Sequence, residues 1–222
     1  TTLRVTGAST DETYGRYTAT WLQGDGTWAP LCPHPYTHND GTVENLDEHL
    51  VPVGGSRWLV DGRRIPDSSA IQLACTHDSV GGCVSWGYEP WRKLTGVNMQ
   101  AIHQACTRMK RADFCGTGDP VTTVNQSDYL HTEIQVWDSA QLHTAESQTA
   151  ATMEAAWNED GATCVNSLEY RSDLQNYIDH KDAILAIKGC AKPACSSTSS
   201  GGLTFSARPC LQLDDDGLCS GN

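Results

Sequence analysis

Residues 75–115 read CTHDSVGGCVSWGYEPWRKLTGVNMQAIHQACTRMKRADFC, and they hold four of the chain's ten cysteines. Within them Met99, Ile102, Ala105, Cys106, Met109 and Ala112 recur at three- and four-residue spacing. That spacing predicts one apolar stripe of an amphipathic helix. Asn98 suits the N-cap, and the CGTG run from Cys115 suits the stop. Asp113 lies seven residues after Cys106 and leaves the helix on nearly the same face, towards the core. A carboxylate placed there must be hydrogen-bonded or paired.

Working outwards, residues 56–86 read as β-structure, with RWLVDGRRI a hairpin around Asp61-Gly62 and AIQLAC a buried strand. Cys75 and Cys83 are then close enough across a turn to pair. Upstream, residues 1–31 alternate imperfectly through Leu3, Val5, Tyr17, Ala19 and Trp21, which predicts two or three antiparallel strands ending at Cys32. From Pro33 to Gly55 the chemistry is that of a loop. Pro33 and Pro35 disfavour the helix that a metal pair of His34 and His38 would need.

Downstream, YLHTEIQVWD alternates as a strand with a polar face. AESQTAATMEAAW, residues 145–157, has helical spacing at Ala150, Met153 and Trp157, and a short strand, ATCVNSLEY, follows Asp160-Gly161. Ser172 and Gln175 suit a capping box for a further helix. After Cys190 the chain turns to Ser, Gly and Cys.

None of the ten cysteines falls in a CxxC pair or a Cys/His ladder with zinc spacing, so the expectation is five disulfides in an oxidising compartment. They are Cys32, Cys75, Cys83, Cys106, Cys115, Cys164, Cys190, Cys195, Cys210 and Cys219. The last four are expected to pair among themselves. TTLRVTGAST lacks a basic region followed by an apolar one and reads as the start of a mature secreted protein. A formal net charge of −12 argues against nucleic acid and anionic membranes as partners. The trio Arg108, Lys110 and Arg111 reads as the solvated side of the helix. No metal or cofactor is expected, and the protein is expected to be a monomer.

RMKRADFCGTG, preceded by HQAC and GGCVSWGYEPW, resembles the ADYC domain, a bacterial extracellular domain named for an Ala-Asp-Tyr-Cys motif. Here the motif stands as Ala112, Asp113, Phe114 and Cys115, with Phe replacing Tyr. GTWAPLC upstream and VWD and MEAAWNEDGATC downstream extend the resemblance over positions 26–171. It implies a secreted setting and brings no ligand or catalytic residue with it.

The fold expected is α+β: an antiparallel, β-rich, disulfide-stapled single domain with a central helix over residues 1–189, and a small Cys-rich tail over 190–222. Three functions fit these residues. A hydrolase of an extracellular polymer, polysaccharide or protein, would use Asp113, Glu133 or Asp138 with His103 or His131, since carboxylates with shifted acidities serve as acid and base. A non-catalytic recognition module would use Tyr88 and Trp91 of WGYEPW as an exposed aromatic pair. A Cys-His enzyme of the transglutaminase or deamidase type would need an unpaired thiol, which an even cysteine count disfavours. Asn125-Gln126-Ser127 is an N-glycosylation acceptor. The acidic run at Asp214 lacks the spacing of a calcium loop.

Overall fold

The computed structural model describes residues 2–10, 13–32, 36–37, 43–44, 49–118, 155–165 and 189–195. Strands β1 (Leu3–Thr10), β2 (Gly15–Leu22), β3 (Trp28–Pro30), β4 (Tyr36–Thr37), β5 (Val43–Glu44), β6 (Leu50–Trp58) and β7 (Arg64–Cys75) come first. Helices α1 (Ser79–Ser85) and α2 (Met99–Lys110) follow, then β8 (Ala155–Asn158) and β9 (Gly161–Val165). Every pairing among the described strands is antiparallel. The described residues are therefore mostly antiparallel β-structure with two helices, which is compatible with the α+β class.

The main sheet runs β1-β2-β6-β7, with β3 also on β2. Period-two alternation assigns its faces. Val51, Val53 and Ala74 point to one side, where they pack with Trp58 and with Val80 and Val84 of α1. Ala19 and Leu50 point to the other, beside Cys32. Further along that second face Ile71 and Leu73 are 71% and 43% exposed, so AIQLAC is a strand but not a buried one. The hairpin around Asp61-Gly62 forms as expected, with Gly62 N–H donating to Leu59 O at 2.8 Å.

Residues 79–85 form a helix, not β-structure. Asp78 caps it, its Oδ1 accepting from the N–H groups of Val80 and Gly81 at 2.8 and 2.9 Å. At the other end Tyr88 N–H donates to Cys83 O and Gly87 N–H to Val84 O. Those two bonds, with Gly87 at φ 85°, make a Schellman turn. The turn swings Tyr88 into the core.

Helix α2 begins at Asn98, whose Oδ1 accepts from Ala101 N–H at 3.3 Å. Its end repeats the device of α1: Ala112 N–H donates to Met109 O and Asp113 N–H to Arg108 O, at 2.9 Å each. Here the left-handed position is held by Ala112 at φ 53°, which is uncommon for a residue with a Cβ. Its methyl is fully buried against the cluster of Ile102, Met109, Phe114 and Trp157, so core filling offsets the backbone strain.

Residues 155–157, expected at the end of a helix, belong instead to β8. Ala155, Ala156 and Trp157 are all fully buried, which a β8–β9 hairpin lying against α2 achieves and a helical stripe would not. Burial here overrides the helix propensity of alanine. The strand after Asp160-Gly161 is present as β9. The remaining elements read between 119 and 154 and between 166 and 188 lie outside the described residues.

Four disulfides join Cys32 to Cys75, Cys83 to Cys106, Cys115 to Cys190 and Cys164 to Cys195. Cys75 and Cys83 therefore do not pair with each other. Cys75 ends β7 on the face shared with Cys32, whereas α1 turns Cys83 towards α2. Nor do Cys190 and Cys195 pair within the C-terminal stretch, because both bridge to the body. Cys210 and Cys219 lie outside the described residues, among which no cysteine is free.

Candidate binding cleft

Two places collect polar or aromatic side chains in a way that calls for a chemical explanation. The first is the polar side of α2. Arg108 and Asp113, both nearly or wholly buried, form an ion pair through Nη1 and Oδ2. The same Oδ2 accepts from Gly118 N–H at 2.9 Å, and Arg108 Nη1 also donates to Asp61 O at 3.0 Å. Gln104 donates to Gly62 O, and Arg111 to Val60 O and Gly118 O. This side of α2 clamps the β6–β7 turn through its carbonyls.

Lys110 donates to His77 O and Asp78 O at 3.1 and 2.8 Å, below the start of α1, and lies 5.0 Å from the centre of the Trp86 ring. Burial lowers its pKa to about 8, against the attraction of Asp78. The trio Arg108, Lys110 and Arg111 is thus an interior fastening and not a solvated face.

His103 is fully buried; its Nε2 lies 3.1 Å from Val80 O and its ring packs edge-on against Trp58 at 5.0 Å. A carbonyl only accepts, so Nε2 carries the proton. Burial lowers the pKa of the ring to about 4, which keeps it neutral. No hydrogen bond joins it to Asp113 among the described residues. Asp113 and His103 are therefore placed in separate structural networks. Glu133, Asp138, His131 and Asn125 lie outside the described residues.

The second place is a cleft of about 530 Å³. One wall is the β1–β2 connection, with Thr13, Tyr14 and Gly15; the floor is Pro52, Gly54 and Gly55 of β6; Pro90, Trp91 and Gln100 close it from the α1–α2 connection and the first turn of α2. Trp91 is 39% exposed, whereas Tyr88 is fully buried, so the aromatic pair expected on the surface is split. Tyr14 takes the place expected of Tyr88.

Two hydrogen-bonded links hold the walls in position. Thr13 Oγ1 donates to the carboxylate of Glu89, itself 3% exposed, and so ties the β1–β2 connection to the segment bearing Pro90 and Trp91. Across the floor, β6 bulges between Gly54 and Ser56, with Gly55 at φ 79°. Ser56 donates to Gly55 O at 2.7 Å, Arg64 Nε donates to Ser56 Oγ at 2.8 Å, and Arg64 Nη2 donates to Gln100 Oε1.

Among the described lining residues there is no Asp, Glu, His, Cys, Lys or Arg. Such a surface can bind and orient a ligand, and the phenol it contains, Tyr14, accepts from Arg16 Nε and Nη2 at 3.2 and 2.9 Å. Apart from Trp91, sequence reasoning missed the cleft residues, because four separated segments build it and none carries a motif. The hint that the sequence offered was the aromatic run WGYEPW, which carries Trp91.

An antiparallel sheet with α1 packed on it, α2 packed on α1 and on the β8–β9 hairpin, and four bridges define a disulfide-bridged domain with an aromatic cleft among its described residues. The chain belongs to the ADYC domain family, whose sequence profile matches residues 1–171. Searches of curated proteins and of solved structures found no match. Four disulfides fit an oxidising compartment. No described helix is long and apolar enough to cross a membrane.

Proposed function

We propose that this protein is a secreted, non-catalytic recognition module that holds a segment of a neutral extracellular polymer in the cleft beside Trp91. The observation that carries this reading is the lining itself: Trp91, Tyr14, Pro52 and Pro90 around neutral Thr13 and Gln100, with no carboxylate, imidazole, thiol or cationic side chain among the described lining residues. Concave, mostly apolar sites with a few placed polar groups are the usual form of a ligand site. A polymer without charge is favoured because nothing described in the cleft would neutralise one.

The hydrolase reading draws less support, since Asp113 and His103 are buried and engaged in holding α2 to its neighbours. Titration of the secreted protein with a panel of neutral polysaccharides and extracellular polypeptides, followed by calorimetry, tests the proposal. Trp91→Ala should lower affinity at least about tenfold, as loss of an aromatic anchor does, while leaving the melting temperature nearly unchanged. Release of soluble fragments by the wild type, unaffected by Trp91→Ala, would return the hydrolase reading.

A further inference from the structure

Resting on the recognition reading, we propose that the segment bound in the cleft is a proline-rich polypeptide in the polyproline II conformation. The argument starts from Gln100. Its side-chain oxygen faces Arg64 Nη2, and a guanidinium has only donors, so the oxygen is committed and the amide Nε2 is left as a pure donor. Thr13 spends its hydroxyl hydrogen on Glu89, which leaves only lone pairs on that oxygen. The cleft therefore carries N–H donors on Gln100 and on the Trp91 indole, one hydroxyl acceptor, and the Tyr14 phenol, whose oxygen accepts from Arg16, beside its aromatic and proline rings.

A sugar ring carries a hydroxyl at most positions, and each one buried without a partner costs free energy. A strand-like peptide needs a partner for its N–H groups as well as its carbonyls. A run of prolines presents carbonyl acceptors, no N–H, and an apolar ring at every position. That is the ligand whose polar demand, acceptors without donors, matches a cleft whose side-chain polar groups include the N–H donors of Gln100 and Trp91. Grooves walled by Trp, Tyr and Pro recognise such segments, which lose little entropy because they are already extended.

The floor supports this occupant. A Cβ placed on Gly54 would meet no atom within 4 Å, so the backbone there is bare and open. A flat pyrrolidine ring can lie directly on it. The same fact supplies a clean perturbation: Gly54 has an ordinary φ and an exposed position, so Gly54→Phe fills the cleft without touching the core.

The test uses the full chain, with a decaproline peptide and xylohexaose as probes, by isothermal titration calorimetry. Decaproline should bind saturably. Affinity should fall at least about tenfold in Trp91→Ala and be lost in Gly54→Phe. It should fall about five- to tenfold in Gln100→Glu, which keeps the oxygen for Arg64 but replaces the donor by an acceptor. All three variants should keep the wild-type melting temperature. Binding of xylohexaose in place of decaproline, lost in Trp91→Ala, would overturn the proline assignment and leave the recognition reading standing. Binding of decaproline that is indifferent to both Trp91→Ala and Gly54→Phe would overturn the assignment to this cleft. Failure of decaproline to bind also overturns the proposal, whatever the wider polymer panel returns.

Discussion

Asp113→Asn removes one charge from a pair that has almost no access to water. Asp113 is fully buried and the side chain of Arg108 is 4% exposed. Taking away one partner of a buried ion pair leaves the other charge uncompensated, at about 3–5 kcal/mol. Two unit charges near 4 Å at an effective dielectric of 20 give about the same figure, 4 kcal/mol. Asparagine can still accept from Gly118 N–H, so the loss should come from the stranded guanidinium, which would keep Asp61 O as an acceptor. We expect a loss of about 4 kcal/mol, which is about a quarter or more of the stability of an ordinary domain. Urea unfolding followed by far-UV circular dichroism, in 0.05 M and 0.5 M salt, is the assay; burial should make the loss nearly independent of salt. Arg108→Met with Asp113→Asn should cost at least about 2 kcal/mol less than the sum of the single changes. A loss below about 1 kcal/mol for Asp113→Asn, or additivity in the double variant, would refute the assignment of Asp113 as a structural anchor.

Further outcomes follow from the same geometry. By loop length alone, removing the bridge between Cys115 and Cys190, separated by 75 residues, should cost about 4.5 kcal/mol, and that between Cys83 and Cys106, separated by 23, about 3.4. Melting of the paired Cys-to-Ala variants checks the order; a negligible loss for the first pair would mean that residues 189–195 do not hold the body together. At Gly116, with φ 70°, an added Cβ would lie 1.8 Å from Asp160 O, so Gly116→Ala should be severely destabilising although it adds one methyl. Its melting temperature should drop by more than that of Gly54→Ala, which should be near wild type. For His103 the folded state titrates near 4 and the unfolded chain near 6.5, so the unfolded state binds more protons between those values. Stability is then fully present above pH 6.5 and declines by about 3 kcal/mol as pH falls to 4. For Lys110 the window is alkaline: folded near 8, unfolded near 10.5, so its contribution rises as pH increases from 8. Urea midpoints across pH 4–10 read both limbs, and His103→Phe should flatten the acid one.

The parts of the fold legible in the sequence are those whose signals are local. Helix α2 needed only its stripe and Asn98, and the β6–β7 hairpin only Asp61-Gly62. Helix α1 was missed because its seven residues carry two glycines and no stripe, while its real markers are Asp78 as cap and Gly87 as stop. Residues 155–157 misled because alanine spacing favours a helix, whereas the decisive factor was the space beside α2. Cysteine pairing failed for a similar reason. Nearness along the chain placed Cys83 next to Cys75, but strand and helix turn their thiols in different directions.

The run Ala112-Asp113-Phe114-Cys115 shows how a recognisable motif and a site part company. Each of its residues has a task at the end of α2. Ala112 takes the left-handed turn position and fills the core. Asp113 neutralises Arg108 and accepts from Gly118. Phe114 lies 4.6 Å from the Trp157 ring centre, and its carbonyl accepts from Ala162 N–H of β9. Cys115 bridges to Cys190. Replacing Phe114 by Tyr would put a hydroxyl into a fully buried site, so the hydroxyl missing here is not one that a ligand in the cleft would meet. The motif gathers the hairpin, the helix and residues 189–195 around one turn, while the cleft is built by other segments. Trp91, Gln100 and Gly54 lie in other segments, so the ligand site proposed there can vary in chemistry without disturbing the turn that carries the family motif.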